Sequence, residues 1–252
     1  MDFNKIKNRY KKVSHLRQPD DFTVEEWQYA LRKQYAELCN FRIEKRGEGV
    51  VFSDYTVYNP DSRLTYKVAL RSKDNSTNFC ECNDFKTNGL GTCKHIEAVF
   101  HHIDKKMGKS HLLDFDFQAP YSSIYLDYRG ERTIRIRIGG DNVAEFEVFA
   151  GKYFRADKSL NYEHIGIFDQ IIAEASDINE SFRCYPDALS FIIEKREYHK
   201  RSALIAEKYT KHITNGIFDS LLDAKLFPYQ KEGLCFAASR GRCIIADDMG
   251  LG

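Results

Sequence analysis

The sequence has no excess of charge of either sign: 38 Lys and Arg stand against 37 Asp and Glu, a formal balance of +1. A chain that is basic throughout is therefore excluded, and any contact with nucleic acid must rest on a local patch. It also lacks any apolar run near the roughly 20 residues that a bilayer-crossing helix needs, so no membrane partner is expected. The first 17 residues hold six Lys or Arg and one Asp but no apolar h-region, which argues against a secretory signal. A solvated helix or basic tail is the plain reading of that segment, and a nucleic-acid contact the sharper one. The seven cysteines are an odd number, and without a signal they do not read as a secreted disulfide framework. The expected setting is intracellular: cytoplasmic, or nucleoid-associated in a bacterium. Low-complexity polarity is scarce too, because 42% of residues are hydrophobic and 13% aromatic. Such a chain folds, and its 252 residues suit one large or two ordinary domains.

Thr23 followed by Glu26 has the form of a capping box, and Trp27, Ala30, Leu31, Tyr35 and Leu38 recur at helical spacing, predicting one amphipathic helix over 23–39. From Val50 to Leu70 the pattern turns to β-branched and aromatic runs, VVFSDYTVY and LTYKVAL, separated by Asn59-Pro60-Asp61-Ser62. That predicts a hairpin. A short apolar-faced helix is expected over 96–103, before a polar break near 107–110.

A second β-rich stretch is expected over 122–153. In RTIRIRIG, Ile134, Ile136 and Ile138 alternate with Arg135 and Arg137, and in AEFEVFA Phe146 and Val148 alternate with Glu145 and Glu147. A hairpin turning at Asp141 would set Arg137 against Glu145 and Arg135 against Glu147, a neutralised outer face. Helices are expected over 165–176 and 186–209, the second with Pro186 in its first turn and Leu189, Ile192, Ile193 and Leu204 on its apolar side. Its polar side holds Lys195, Arg196, His199, Lys200 and Arg201, compatible with a solvated face or with a contact to DNA backbone or a neighbouring lobe. Pro186-Asp187 with Glu194 superficially resembles a metal-dependent nuclease signature. Residue 196 is Arg where that signature needs Lys, and the segment reads as one helix, so nuclease chemistry is set aside.

Cys39, Cys184, Cys235 and Cys243 lie apart and read as buried, inert thiols. Cys80-Glu81-Cys82 and Cys93-Lys94-His95 instead form a CxC, ten intervening residues and a CxH. Residues i and i+2 of a strand point the same way, so Cys80 and Cys82 can present both sulfurs to one ion. Cys93 and His95 come at the start of the next helix, and Gly89 and Gly91 permit the return turn. Three thiolates and one imidazole suit a closed, tetrahedral, structural Zn2+ site. The helix N-terminus and Lys94 are placed to offset its net negative charge. His101 and His102 are substitute ligands on the sequence, but exposure on a helix is the plainer reading for both.

The run FCECNDF, then GTCKHIEAVF, preceded by strands with Tyr58 and Tyr66-Lys67-Val68, resembles the SWIM zinc-binding domain over roughly residues 46–104. Cys80, Cys82, Cys93 and His95 match its metal ligands, and Asp84 and Phe85 match the segment after CxC, while Asn83 stands where proline is frequent. The resemblance implies a structural zinc in a module that binds DNA or a protein partner. A closed four-ligand site agrees, since no position is left for an activated water.

Near the carboxyl end, LFPYQKEG is expected to open a helix through Gly233 and Leu234, and Arg242-Cys243-Ile244-Ile245-Ala246 reads as a short buried strand before DDMGLG. A strand that ends in a glycine loop is how nucleotide-binding folds present N–H groups to phosphates, although a lone GLG is also a plain turn. The combination resembles the Swi/Snf-type helicase-like ATPases of superfamily two. The resemblance implies that Gln230 reads adenine beside Tyr229, and that Asp248, Met249, Gly250, Leu251 and Gly252 begin a phosphate-binding loop for ATP and Mg2+. In that family Lys and Thr come next. The 252 residues end before them, so no ATP turnover is expected of this polypeptide by itself.

The expectation is thus an α+β chain in four parts. A helical segment spans 1–45, a SWIM-type hairpin-and-helix zinc module 46–112, and a connector of antiparallel sheet plus helices 118–212. The start of a RecA-like α/β ATPase lobe spans 213–252. The function implied is the amino-terminal region of a DNA-dependent, ATP-driven translocase. The alternatives are a stand-alone zinc interaction module with no ATPase connection, and a SWIM module that contacts protein while other lobes grip DNA.

Overall fold

A computed structural model describes residues 13–108, 117, 119–212, 216–220 and 225–246. Its first helix, α1 (Val24–Leu38), begins with the expected box: Thr23 Oγ1 accepts the Glu26 N–H at 3.2 Å and Glu26 Oε2 accepts the Thr23 N–H at 2.9 Å. Ahead of it, Ser14 is tied down by the Trp27 indole, which donates to its carbonyl at 2.7 Å.

Four antiparallel strands follow in sequential order, β1 (Arg42–Lys45), β2 (Asp54–Asn59), β3 (Leu64–Ala69) and β4 (Phe79–Cys80). The hairpin expected from Asn59-Pro60-Asp61-Ser62 is present, with Tyr55 opposite Val68 and Val57 opposite Tyr66. Cross-strand partners share a face, so these four point inward together, and Cys80, opposite Val68, joins them. A short helix α2 (Asn83–Thr87) and the longer α3 (Lys94–Met107) cover that face. Ile96, Val99 and Ile103 of α3 are buried there, and α1 packs on its other side.

The second sheet has the order β6-β5-β7. β5 (Ser123–Asp127) runs antiparallel to β6 (Thr133–Arg137) and parallel to β7 (Arg183–Cys184), so the sheet is mixed where an antiparallel one was expected. Ile124 opposite Ile136 and Leu126 opposite Ile134 form its apolar face. Three helices contribute to the core below: α4 (Val143–Tyr153), α5 (Phe168–Ile178) after a 3-10 turn (Tyr162–Ile167), and α6 (Pro186–Lys208). Phe146, Phe168, Ile171, Ala188 and Ile192 of these helices are buried with the sheet residues in one continuous core.

The segment AEFEVFA is helical, which overturns the expected hairpin of RTIRIRIG with AEFEVFA. Phe146, Phe149, Ala150 and Tyr153 are buried at spacing i, i+3, i+4, i+7, whereas Val148 is 77% exposed. The alternation of Phe146 and Val148 covered too few residues to outweigh that helical stripe. Glu145 and Glu147 therefore do not face Arg137 and Arg135. Glu147 pairs with Lys158, while Arg135 pairs with Asp127 and Asp157.

In α6 the buried residues are Ala188, Phe191 and Ile192; Leu189, Ile193 and Leu204 are exposed, contrary to the expected apolar side. The buried residues lie in the amino-terminal half of this helix, which packs on β5 and on the Tyr162–Ile167 turn, and α7 (Pro228–Arg240) packs along it. Two residues of the basic face are committed internally. Arg196 donates to the Ile165 and Gly166 carbonyls and pairs with Asp169, and Arg201 donates to the Ser239 and Arg240 carbonyls at the end of α7. Asp187 and Glu194 lie on this one helix, and Asp187 accepts the Tyr128 hydroxyl at 3.0 Å. Residues 243–246 are exposed and outside any strand, contrary to the expected buried strand; no neighbouring edge among the described residues pairs with them. Cys235 is buried, Cys39 and Cys184 are half-buried, and Cys243 is exposed.

The two sheets are locked together at the return turn of the Cys/His motif. The Gly130 N–H donates to the Gly89 carbonyl at 2.7 Å, and Leu90 bridges to Arg129. Gly91, at φ +71°, leaves no room for a Cβ, which would lie 2.7 Å from Arg129 Cγ. Phe85 meets Tyr128, the residue after β5, at 5.0 Å between ring centroids.

Candidate metal centre

Cys80, Cys82, Cys93 and His95 converge, with their ligand atoms all within 4.8 Å of one another, and all four residues are buried. Cys80 comes from the end of β4, Cys82 is the N-cap of α2, Cys93 is the N-cap of α3, and His95 lies in the first turn of α3. His95 Nδ1 is 3.7 Å from Cys80 Sγ and 4.0 Å from Cys93 Sγ. Bonds of roughly 2.0–2.3 Å to a tetrahedral ion imply ligand separations of about 3.5–3.8 Å, so the nest is close to the size that Zn2+ requires.

The donor chemistry tests the fit further. The Phe85 N–H donates to Cys82 Sγ at 3.3 Å. Hydrogen bonding from Cys80, then from Cys93, pulls the Cys82 thiol well below its ordinary range, so this sulfur is the natural seat of a negative charge. Cys80 is pushed up, first through its hydrogen bond to Cys82. Cys93 is pushed up chiefly by burial. Three thiolates cannot share so small a buried volume without a cation to neutralise them. A divalent cation with a preference for sulfur removes that conflict, and Cys3His is a donor set suited to zinc.

The imidazole is held by packing. Tyr66 stacks on it at 4.2 Å and Phe41 meets it edge-on at 5.5 Å. Its second nitrogen, Nε2, is buried with no hydrogen-bond partner. Lys94 lies over the Tyr35 ring at 5.0 Å. His101 and His102 are half-buried further along α3 and are not in the ligand cluster.

Two supporting residues were not foreseen. Arg32 of α1 grips Asp84 with Nε at 3.1 Å and Nη2 at 2.5 Å, tying the helix to the turn after CxC. Glu97, 4% exposed, accepts from Thr92 Oγ1 at 2.6 Å, and Asn75 Nδ2 and Tyr29 Oη each lie 3.4 Å from its carboxylate. Burial pushes its carboxyl pKa up. Arg32 reads in the sequence as an ordinary solvated charge on an amphipathic helix. Glu97 carried one signal, a carboxylate within the apolar run HIEAVF.

Of the residues expected to bind nucleotide, Tyr229 and Gln230 lie in the first turn of α7. Tyr229 is 40% exposed, and Gln230 Oε1 accepts the Phe227 N–H at 3.0 Å. Asp248, Met249, Gly250, Leu251 and Gly252 lie outside the described residues.

Comparison with known proteins finds short shared stretches. The chain is 56% identical over 39 residues to a SWI/SNF-related matrix-associated actin-dependent regulator of chromatin subfamily A-like protein 1 homolog of Caenorhabditis elegans, covering 15% of this chain and 6% of that protein. It is 47% identical over 58 residues to the human DNA annealing helicase and endonuclease ZRANB3, covering 19% of this chain and 5% of that protein. The matches thus span about one twentieth of either relative. No family profile and no solved structure matches the chain. No described helix is long and apolar enough to cross a membrane.

Proposed function

We propose that this chain is the amino-terminal region of a DNA-dependent, ATP-driven translocase of the Swi/Snf type, and that Cys80, Cys82, Cys93 and His95 hold a structural Zn2+ in a SWIM-type module. The observation that carries the translocase reading is the short, high-identity stretches shared with two helicase-like relatives, one of them named for its action on DNA. The zinc reading rests on the convergence and burial of the four donors. Zinc bound there would offset two of the three thiolate charges and tie β4 to α3.

In this reading residues 46–112 form the SWIM module, 118–212 a connector, and 213–252 the front of an ATPase lobe. Gln230 would read adenine, and 248–252 would lead into the phosphate loop. The test is ATP hydrolysis by the full-length protein with and without DNA. DNA should stimulate turnover, and Gln230→Ala should raise KM for ATP by about tenfold to a hundredfold, the cost of an unpaired buried polar group on the base. Hydrolysis that ignores both DNA and Gln230 would contradict the reading.

A further inference from the structure

The second sheet has two unlike faces. Ile124, Leu126, Ile134 and Ile136 point into the core, so their neighbours in sequence point the other way, toward the Cys/His-bearing half. On that outer face Ser123 of β5 stands opposite Arg137 of β6 and Arg183 of β7, a row of Arg, Ser and Arg across three strands. One step along, Tyr125 stands opposite Arg135. A cavity of about 410 Å³ lies between this face and the first sheet, with Arg71 on its opposite wall and Tyr125 and Tyr185 among its lining.

Charge in the cavity is unevenly matched. Arg71 pairs with Asp54. Asp127 is satisfied by Arg129 and Arg135, and Asp187 accepts from Tyr128. Glu81 lies 4.0 Å from Lys67. Among the described residues Arg137 and Arg183 have no acidic partner. Arg137 donates to Ser123 Oγ at 3.1 Å and lies over the Phe117 ring, and its Nε is buried without a hydrogen bond. Arg183 is exposed, and its guanidinium lies over the Tyr121 ring at 3.9 Å.

We propose that this cavity binds a nucleoside phosphate, with Arg137 and Arg183 on phosphate oxygens and the tyrosines offering faces to the base. Guanidinium forks match phosphate geometry, and aromatic faces accept any base. The volume is in the range of small-ligand pockets and is too small for a duplex, so the occupant is an unpaired nucleotide of a strand or a free nucleotide. The choice of ligand rests on the DNA-acting reading above; the presence in a cavity of two arginines with no acidic partner among the described residues does not.

The test is fluorescence anisotropy of a labelled single-stranded oligonucleotide with the full chain across a salt series. Arg137→Gln with Arg183→Gln should weaken binding tenfold or more and lower the salt slope by about 1.4, at about 0.7 per phosphate contact on single strands. Because Arg137 also holds Ser123, Arg183→Gln alone is the second variant, expected to lower the slope by about 0.7. Unchanged metal content and melting temperature establish that each variant is folded, and Lys105→Gln, on the exposed side of α3, is the control. Competition by AMP identifies a free-nucleotide site; failure of AMP with displacement by unlabelled strand identifies a strand site. Either supports the proposal. Equal losses from Lys105→Gln and Arg183→Gln, tighter binding of duplex than single strand, or preferential capture of a phosphorylated peptide would overturn it. DNA-independent ATP hydrolysis by the full-length protein, with the arginine dependence intact, would remove the translocase reading and leave the cavity assignment standing.

Discussion

Stripping the metal should unfold the amino-terminal half and spare the second. A metal held by the four donors would tie together β4, α2 and α3. β4 is two residues long, and its register with β3 is two pairs, Val68 with Cys80 and Ala69 with Phe79. The structural zinc of small fingers is worth about 10–16 kcal/mol, as much as the roughly 5–15 kcal/mol total stability of a domain. Even a loss of 5 kcal/mol would lower a midpoint by more than about 20 °C, at about 4–8 °C per kcal/mol. The second sheet carries a large share of the core away from the four donors, Ile124, Ile134, Phe146, Phe168 and Ile192, each fully buried. Trp27, the only tryptophan, sits on α1, which packs against α3 and reports on the Cys/His-bearing half. After dialysis against a strong chelator, Trp27 emission should lose its cooperative transition or shift it by at least that amount. Far-UV circular dichroism should retain a transition from α4, α5 and α6. A Trp27 transition that moves by less than about 2 °C in protein shown to be metal-free would refute the argument, since it corresponds to under 1 kcal/mol.

Glu97→Gln should leave stability unchanged or raise it at neutral pH, because the amide still accepts from Thr92 without a buried charge, while Glu97→Ala should cost about 1–3 kcal/mol. The folded pKa of Glu97 is raised, so its contribution is whole below the unfolded value of about 4.3 and declines as pH rises through the folded value. Urea titrations from pH 5 upward should therefore show the Gln variant gaining on the wild type; a constant difference would be wrong for this account. A double-mutant cycle on Arg32 and Asp84, whose side chains are 17% and 33% exposed, should give a coupling of about 1–2 kcal/mol, and a value near zero would mean that the pair does not anchor α1. Phe146→Ala should cost about 3–5 kcal/mol and Val148→Ala less than about 0.5 kcal/mol. Equal costs would restore the strand reading of this segment.

What was legible in the sequence depended on how local the determining physics is. The Thr23–Glu26 box, the Asn59–Ser62 turn and the CxC and CxH pairs are short-range patterns, and the structure forms them where they were expected. In AEFEVFA four alternating residues mimic a strand, and the helical stripe becomes visible only when Tyr153 is included. The arginines of RTIRIRI were assigned to the right face of a strand but given the wrong partners, since those depend on how the chain returns after Gly140. Arg32 and Asp84 are 52 residues apart, and nothing local joins them. The exposure of 243–246 likewise reflects the absence of a pairing edge among the described residues, a property of neighbours and not of the segment.

The proposed zinc centre of Cys80, Cys82, Cys93 and His95 is closed, with four protein donors and no water. X-ray absorption at the zinc edge on purified protein, with elemental analysis of the same sample, tests it most directly. One zinc per chain is expected, with three sulfurs at about 2.3 Å and one nitrogen at about 2.0–2.1 Å, and Cys93→Ser should lose the metal. Protein that carries no zinc, a shell dominated by oxygen, or unchanged zinc in Cys93→Ser would contradict it.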